Sequence, residues 1–241
     1  MRIALALVVA AVGLVPAASA RPPRLVETCV TKAERTHVLR YRASDGIRLV
    51  GLELGRGRRG VVLAHGYGGN FCAWVGTARR LSRSGYHVLA FDLRNHGSSA
   101  PASQEARYRI DRDVAASAGL LRRRGARTIV LMGSSMGASA VIAGAAIASP
   151  PVDGVISLSS PATLALLDVE ASARRVTSPT IFVASEFDRD FAADARKLYD
   201  ASAASDKRLL IVRDSNAHGS GLLVYRSLRR GLDAFLAARS R

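Results

Sequence analysis

The chain has 241 residues, 49% of them hydrophobic, and carries 35 Lys and Arg against 19 Asp and Glu, a formal charge of +16. That apolar content excludes an intrinsically disordered chain. No apolar run reaches the roughly 18 residues of a membrane-spanning helix, and two cysteines are too few for a disulfide scaffold or a four-cysteine zinc site.

Only Lys32, Lys197 and Lys207 are lysines; every other basic residue is arginine. The arginines run along the whole length, and the densest groups are Arg56/Arg58/Arg59 and Arg122–Arg124. No basic block is interleaved with aromatics as a nucleic-acid surface would be, so no nucleic-acid partner is expected. The charge reads as a solvated arginine-rich surface, able to associate electrostatically with anionic envelope surfaces.

Residues 1–20, MRIALALVVAAVGLVPAASA, read as an export signal. Arg2 supplies the positive start, residues 3–15 the apolar stretch, and Ala18-Ser19-Ala20 a small-x-small cleavage site. The expected mature protein is secreted, periplasmic or in the cell envelope. The alternative, an uncleaved anchor helix, fits poorly because Pro16 ends a short apolar run. Export would place Cys29 and Cys72 where they can form a disulfide; two buried free thiols are the other reading.

Residues 21–35 are polar and contain proline, as in a loose leader. The domain proper is expected from 36 to 241. Segments 36–42 and 47–54 alternate in polarity about an Asp45-Gly46 turn, which predicts a β-hairpin. Val61-Val62-Leu63-Ala64 is a continuous apolar run, as in a strand buried on both faces. Then helices are predicted at 71–84, 105–124, 136–148, 191–204 and 221–239, with a short helical piece over 162–174. Strands are predicted at 86–91, 127–132, 155–158, 180–184 and 208–212. The alternation predicts a mostly parallel sheet with helices on both faces and an antiparallel hairpin at one edge. In such sheets ligands bind at the carboxyl ends of the strands.

Three loops that follow predicted strands carry chemistry. Gly133-Ser134-Ser135-Met136-Gly137 lies between a strand and an Ala-rich helix, the context in which G-x-S-x-G presents a serine nucleophile on a strained turn. His65-Gly66-Tyr67-Gly68-Gly69-Asn70 follows the apolar run; the backbone amides of Tyr67 and Met136 are candidates for an oxyanion hole. His218, in Asn216-Ala217-His218-Gly219, follows the last strand and is the candidate base among five histidines. Ser185-Glu186-Phe187-Asp188-Arg189-Asp190 follows another strand; Asp188 is the first choice to orient the imidazole, with Glu186 and Asp190 as alternatives. Each loop could instead be an ordinary turn, and the acids could be helix caps.

With these residues in the order Ser135, Asp188, His218, the sequence resembles the α/β-hydrolase family from about residue 36 onward. His65–Gly69 is similar to the family's oxyanion loop, and Asp92-Leu93-Arg94-Asn95-His96-Gly97 to its structural D-x-R-x-x-G turn. Ser185–Asp188 is similar to its G-x-x-D acid loop with Ser185 in place of glycine. The resemblance implies a serine esterase that cleaves small-molecule esters through an acyl-enzyme, without metal or organic cofactor; residues 1–20 add the expectation that it is exported. An amide-cleaving aminopeptidase-like relative and a non-catalytic binding module are the competing readings. Only about 20 residues separate the strand ending at 158 from the one starting at 180, too few for a lid domain. Phe71, Trp74 and residues 164–167 are candidates to line an acyl pocket, or else core. The sequence leaves open the acyl and alcohol specificity and the oligomeric state.

Overall fold

The computed structural model describes residues 28–239. Residues 1–20, expected to be an export signal, and residues 21–27 of the expected leader lie outside the described residues. The chain begins at a 3-10 turn, Glu34–His37, and continues as β1 (Val38–Arg42), β2 (Arg48–Leu54) and β3 (Arg59–Ala64). A second 3-10 turn, Phe71–Trp74, leads to α1 (Val75–Arg83), β4 (Tyr86–Asp92), α2 (Ile110–Arg123), β5 (Thr128–Ser134) and α3 (Met136–Ile147). Next come β6 (Gly154–Leu158), the two-residue strands β7 (Thr163–Leu164) and β8 (Leu167–Asp168), α4 (Val169–Ala173) and β9 (Thr180–Ser185). The last elements are α5 (Arg189–Ala201), β10 (Lys207–Val212), a 3-10 turn at Gly219–Val224 and α6 (Arg226–Ala238).

Eight strands form one sheet in the order β1-β2-β4-β3-β5-β6-β9-β10. β1 and β2 pair antiparallel from Val38↔Leu52 to Arg42↔Arg48, and β2 pairs antiparallel with β4. The pairs from β4 to β10 are all parallel. The central strands β4 and β6 are buried along their whole length, and β5 from Ile129 onward, because helices cover both faces. Val114, Ala140, Phe182 and Leu198 bring α2, α3 and α5 into one apolar cluster. Leu81, Val130, Ile156 and Leu232 bring α1 and α6 into the cluster on the opposite face. Helix α3 is apolar all round, and its residues 136–144 are buried.

Four predicted elements differ in detail. The helix predicted from 105 starts at Ile110; Arg94 Nη1 donates to the Ala106 carbonyl at 2.9 Å and holds the preceding segment as turns. The piece predicted over 162–174 is mostly not helical. It opens as the β7–β8 hairpin, with Ala165 at φ 49°, and becomes helix only at α4, where the Asp168 carboxylate accepts from the Ala171 amide at 2.8 Å. The 71–84 and 221–239 helices each begin as a 3-10 turn. The hairpin and α4 are the only elements between β6 and β9, so no lid domain covers the sheet there.

The end of the predicted leader is not loose among the described residues. Cys29 and Cys72 form a disulfide with Cα atoms 5.6 Å apart. Arg79 donates to both Glu34 carboxylate oxygens, at 2.7 and 2.6 Å, and to the Cys29 carbonyl at 3.1 Å. This pairing lowers the Glu34 carboxyl to about 2. Phe71 and Trp74 are wholly buried under α1, so they are core and not pocket lining.

Candidate active site

The sheet register sets the site. In β3 and β5, Ala64 pairs with Gly133, so the loop that begins at His65 lies beside the one that carries Ser135. In β9 and β10, Ser185 pairs with Val212, so the loops of Asp188 and His218 are neighbours at the same edge.

Ser135 stands between β5 and α3 at φ 54° and ψ −121°, a conformation costly for a residue with a side chain. The turn closes only because its flanks are glycines. A Cβ on Gly133 would lie 2.1 Å from the Gly137 carbonyl oxygen, and one on Gly137 would lie 2.2 Å from that of Ala64. The Ser135 amide donates to the Leu158 carbonyl at 2.8 Å, which fixes the elbow to the end of β6. Met136 is the first helical residue, so its amide has no acceptor within α3.

Asp188 Oδ2 accepts from His218 Nδ1 at 2.7 Å. That bond puts the ring proton on Nδ1 and leaves Nε2 with a free lone pair, the tautomer a general base needs. Neither alternative acid takes this place: Glu186 accepts from the Asp214 amide at 3.0 Å, and Asp190 sits in the first turn of α5. The Phe191 ring lies edge-on to the imidazole, with centroids 4.3 Å apart. The His218 loop is tied to the elbow just after the imidazole. The Gly219 amide donates to Ser159 Oγ at 3.0 Å and the Ser220 amide to Ser134 Oγ at 2.9 Å.

A set of hydroxyls under this loop was not legible as functional. Tyr225 Oη donates to Ser215 Oγ at 2.8 Å, Ser215 and Ser185 share a 3.0 Å contact, and Ser185 Oγ donates to the Ala217 carbonyl at 2.5 Å. Each hydroxyl has one proton. With the Tyr225 and Ser185 protons committed, the Ser215 proton goes to Ser185, so the chain runs Tyr225, Ser215, Ser185, Ala217 and ends beside His218. The Ala217 amide also donates to Ser215 Oγ, at 3.1 Å. Serine in place of the acid loop's usual glycine therefore supplies the last link to the His218 loop. The only hint in the sequence was that departure.

Two of the other histidines, His65 and His87, have structural places. His65 is buried; its Nδ1 donates to the Gly66 carbonyl at 2.7 Å and its Nε2 accepts from the Leu93 amide at 3.1 Å. Burial lowers its pKa to about 4, so it stays neutral. His87 bonds Glu53 at the opposite end of β4. In the D-x-R-x-x-G turn, Asp92 accepts from the amides of Phe71 and Ser98, both at 2.8 Å. Arg94, also buried, bonds Asp113 at 2.7 Å and Asp45 at 2.8 Å. Among the described residues, no group of three or more His, Cys, Asp or Glu side chains is placed to hold a metal ion.

Two cavities open beside the elbow. The inner one, of about 190 Å³, is lined by Tyr108, Ile110, Met136 and Leu164; the outer, of about 490 Å³, by Gly68, Gly69 and Asn70. Tyr67, Asn95, His96 and Arg107 line both. Tyr67, Leu166, Phe187 and Val224 are exposed large apolar side chains in the segments that follow β3, β7, β9 and β10.

Residues 60–218 match the family described as alpha/beta hydrolase fold, and the chain belongs to that family. Epoxide hydrolase A of Mycobacterium tuberculosis is 39% identical over 121 residues, a match that takes in 49% of this chain and 37% of that protein. The chain thus spans little more than a third of that relative's length. Among solved structures, an esterase of Pyrococcus furiosus superposes with a TM-score of 0.71 at 19% identity, covering 91% of this chain and 98% of the other. An acetyl xylan esterase of Paenibacillus sp. R4 gives 0.69 at 15% identity, covering 83% of each chain. At such identities these two similarities show the shared fold.

Proposed function

We propose that the protein is an exported serine hydrolase that cleaves carboxylic esters through an acyl-enzyme. The observation that carries the reading is the His218–Asp188 bond of 2.7 Å in the loops beside the strained Ser135 elbow. His218 Nε2 takes the Ser135 proton as Oγ attacks the ester carbonyl. The amides of Met136 and Tyr67 hold the oxyanion that develops. His218 then protonates the departing alcohol and next activates the water that releases the acid, while Asp188 keeps the ring oriented and stabilises its charged form. That two of the structural relatives are named esterases supports an ester over an amide as the substrate proposed here. The short segment between β6 and β9 leaves the cleft open, which fits small esters. The Cys29–Cys72 disulfide supports export, since such bonds persist in oxidising compartments.

Turnover of p-nitrophenyl butyrate by the wild type and by Ser135→Ala tests the reading. The variant should lose at least about a thousandfold in kcat/KM. Equal rates would sink it.

A further inference from the structure

The two cavities beside Ser135 have an asymmetric position in the proposed reaction. Met136 and Tyr67, whose amides face the oxyanion, line the inner cavity, while His218 and Asp188 line neither one. The leaving alcohol departs toward the imidazole that protonates it. The cavity on the Met136 side therefore receives the acyl chain.

That cavity is small and has a charged rim. A water's share of liquid volume is about 30 Å³, so a space of about 190 Å³ takes about six non-hydrogen atoms. Tyr108, Ile110, Met136 and Leu164 give it apolar walls suited to methylenes. Arg107 lies where the inner and outer cavities meet. Its guanidinium is placed over the Tyr108 ring, 5.1 Å from the centroid, and Nη1 donates to the neutral Gln104 side chain at 2.6 Å.

The aspartates near this loop pair with other arginines, Asp45 with Arg94 and Arg112 and Asp111 with Arg109, and the exposed Glu105 takes the Ser103 hydroxyl. No ion pair among the described residues includes Arg107. The cleft thus presents a cation held in place by a ring and an amide, outside any ion pair among the described residues, in the lining of the same cavity as Met136. A guanidinium so placed matches a carboxylate.

We propose that Arg107 selects acyl chains that end in a carboxylate, so that the preferred substrates are half-esters of short dicarboxylic acids. This rests on Ser135 being the nucleophile. Acyl transfer to Ser135 Oγ releases the alcohol, and attack by water on the acyl-enzyme releases the free dicarboxylate and regenerates the serine.

The test compares mono-p-nitrophenyl glutarate with p-nitrophenyl butyrate for the wild type, Arg107→Gln and Arg107→Glu. Arg107 is exposed, so the variants should fold, and circular dichroism checks this. In the wild type the glutarate ester should have the higher kcat/KM. The ratio of the two should fall about tenfold in Arg107→Gln, the loss of about 1.4 kcal/mol of selective interaction, and further in Arg107→Glu. Free glutarate should inhibit the wild type more than Arg107→Gln. A ratio that moves less than twofold in both variants, with butyrate still hydrolysed at Ser135, overturns the selection by Arg107 and leaves the esterase reading intact. No turnover of either ester, with no labelling of Ser135 by a fluorophosphonate, overturns both.

Discussion

Under the loop that follows β4, the buried polar groups are ions: Arg94 divides its guanidinium between the carboxylates of Asp113 and Asp45. Under the loop that carries His218, they are neutral hydroxyls of Tyr225, Ser215 and Ser185. Both networks hold loops at the same end of the sheet, but they work beside different neighbours. Near Arg94 no group of the proposed mechanism changes charge, and a buried ion pair can fix the backbone firmly. In the proposed mechanism a proton comes and goes at His218, and a second buried charge would bias it. Hydroxyls position the imidazole loop without an added charge, and Asp188 remains the carboxylate in direct contact with the ring.

The ionic network should give the largest effect when broken. Arg94→Met leaves Asp113 buried without its partner and is expected to cost about 3 to 5 kcal/mol of folding stability, read by urea unfolding at pH 7. A loss under 1 kcal/mol would show that the ions contribute little to holding this loop.

His65, whose Nε2 accepts from the Leu93 amide next to Arg94, gives a pH test. Its folded pKa of about 4 lies below the unfolded value near 6.5. The unfolded chain therefore binds the proton first as pH falls. The stability contribution is complete above about 6.5 and declines as pH drops toward 4, by about 3 kcal/mol at the end of that window. Between pH 6.5 and 4.5, before carboxylates dominate, unfolding midpoints should fall in the wild type and fall less in His65→Gln. Parallel profiles would remove His65 as the cause.

The neutral network should give the smallest change in stability and a clearer one in catalysis. Ser215→Ala removes one hydroxyl link at about 1 kcal/mol. It should lower kcat about tenfold with KM little changed, because the imidazole loop loses its support and not its substrate contacts. Ser215→Thr, which keeps a hydroxyl, should recover part of that loss. A fall in stability with kcat intact would make the network structural alone.

Much of the frame was legible because its signals are local. The apolar run at residues 61–64, the Asp45-Gly46 turn and the glycines flanking Ser135 each state their geometry within a few residues. The order Ser135, Asp188, His218 followed because each sits just after a strand. What escaped depends on contacts across long stretches of chain. Ser185 meets the Ala217 carbonyl 32 positions away, and nothing near Ser185 announces it. The start of α2 depends on Arg94 reaching Ala106, and the β7–β8 hairpin sits where apolar residues alone read as helix. The Arg107 cleft belongs to several loops at once, while its own segment reads as an ordinary polar stretch.

The Cys29–Cys72 bond has a consequence for how the chain would come apart. It closes the first three strands and the loop of His65 into a covalent ring. A protease that cuts the exposed link at residues 55–58 would open the ring without freeing a fragment. The nicked molecule would migrate as one band until a reducing agent split it in two. β1 and β2 would thus stay at high effective concentration after damage that would otherwise release them.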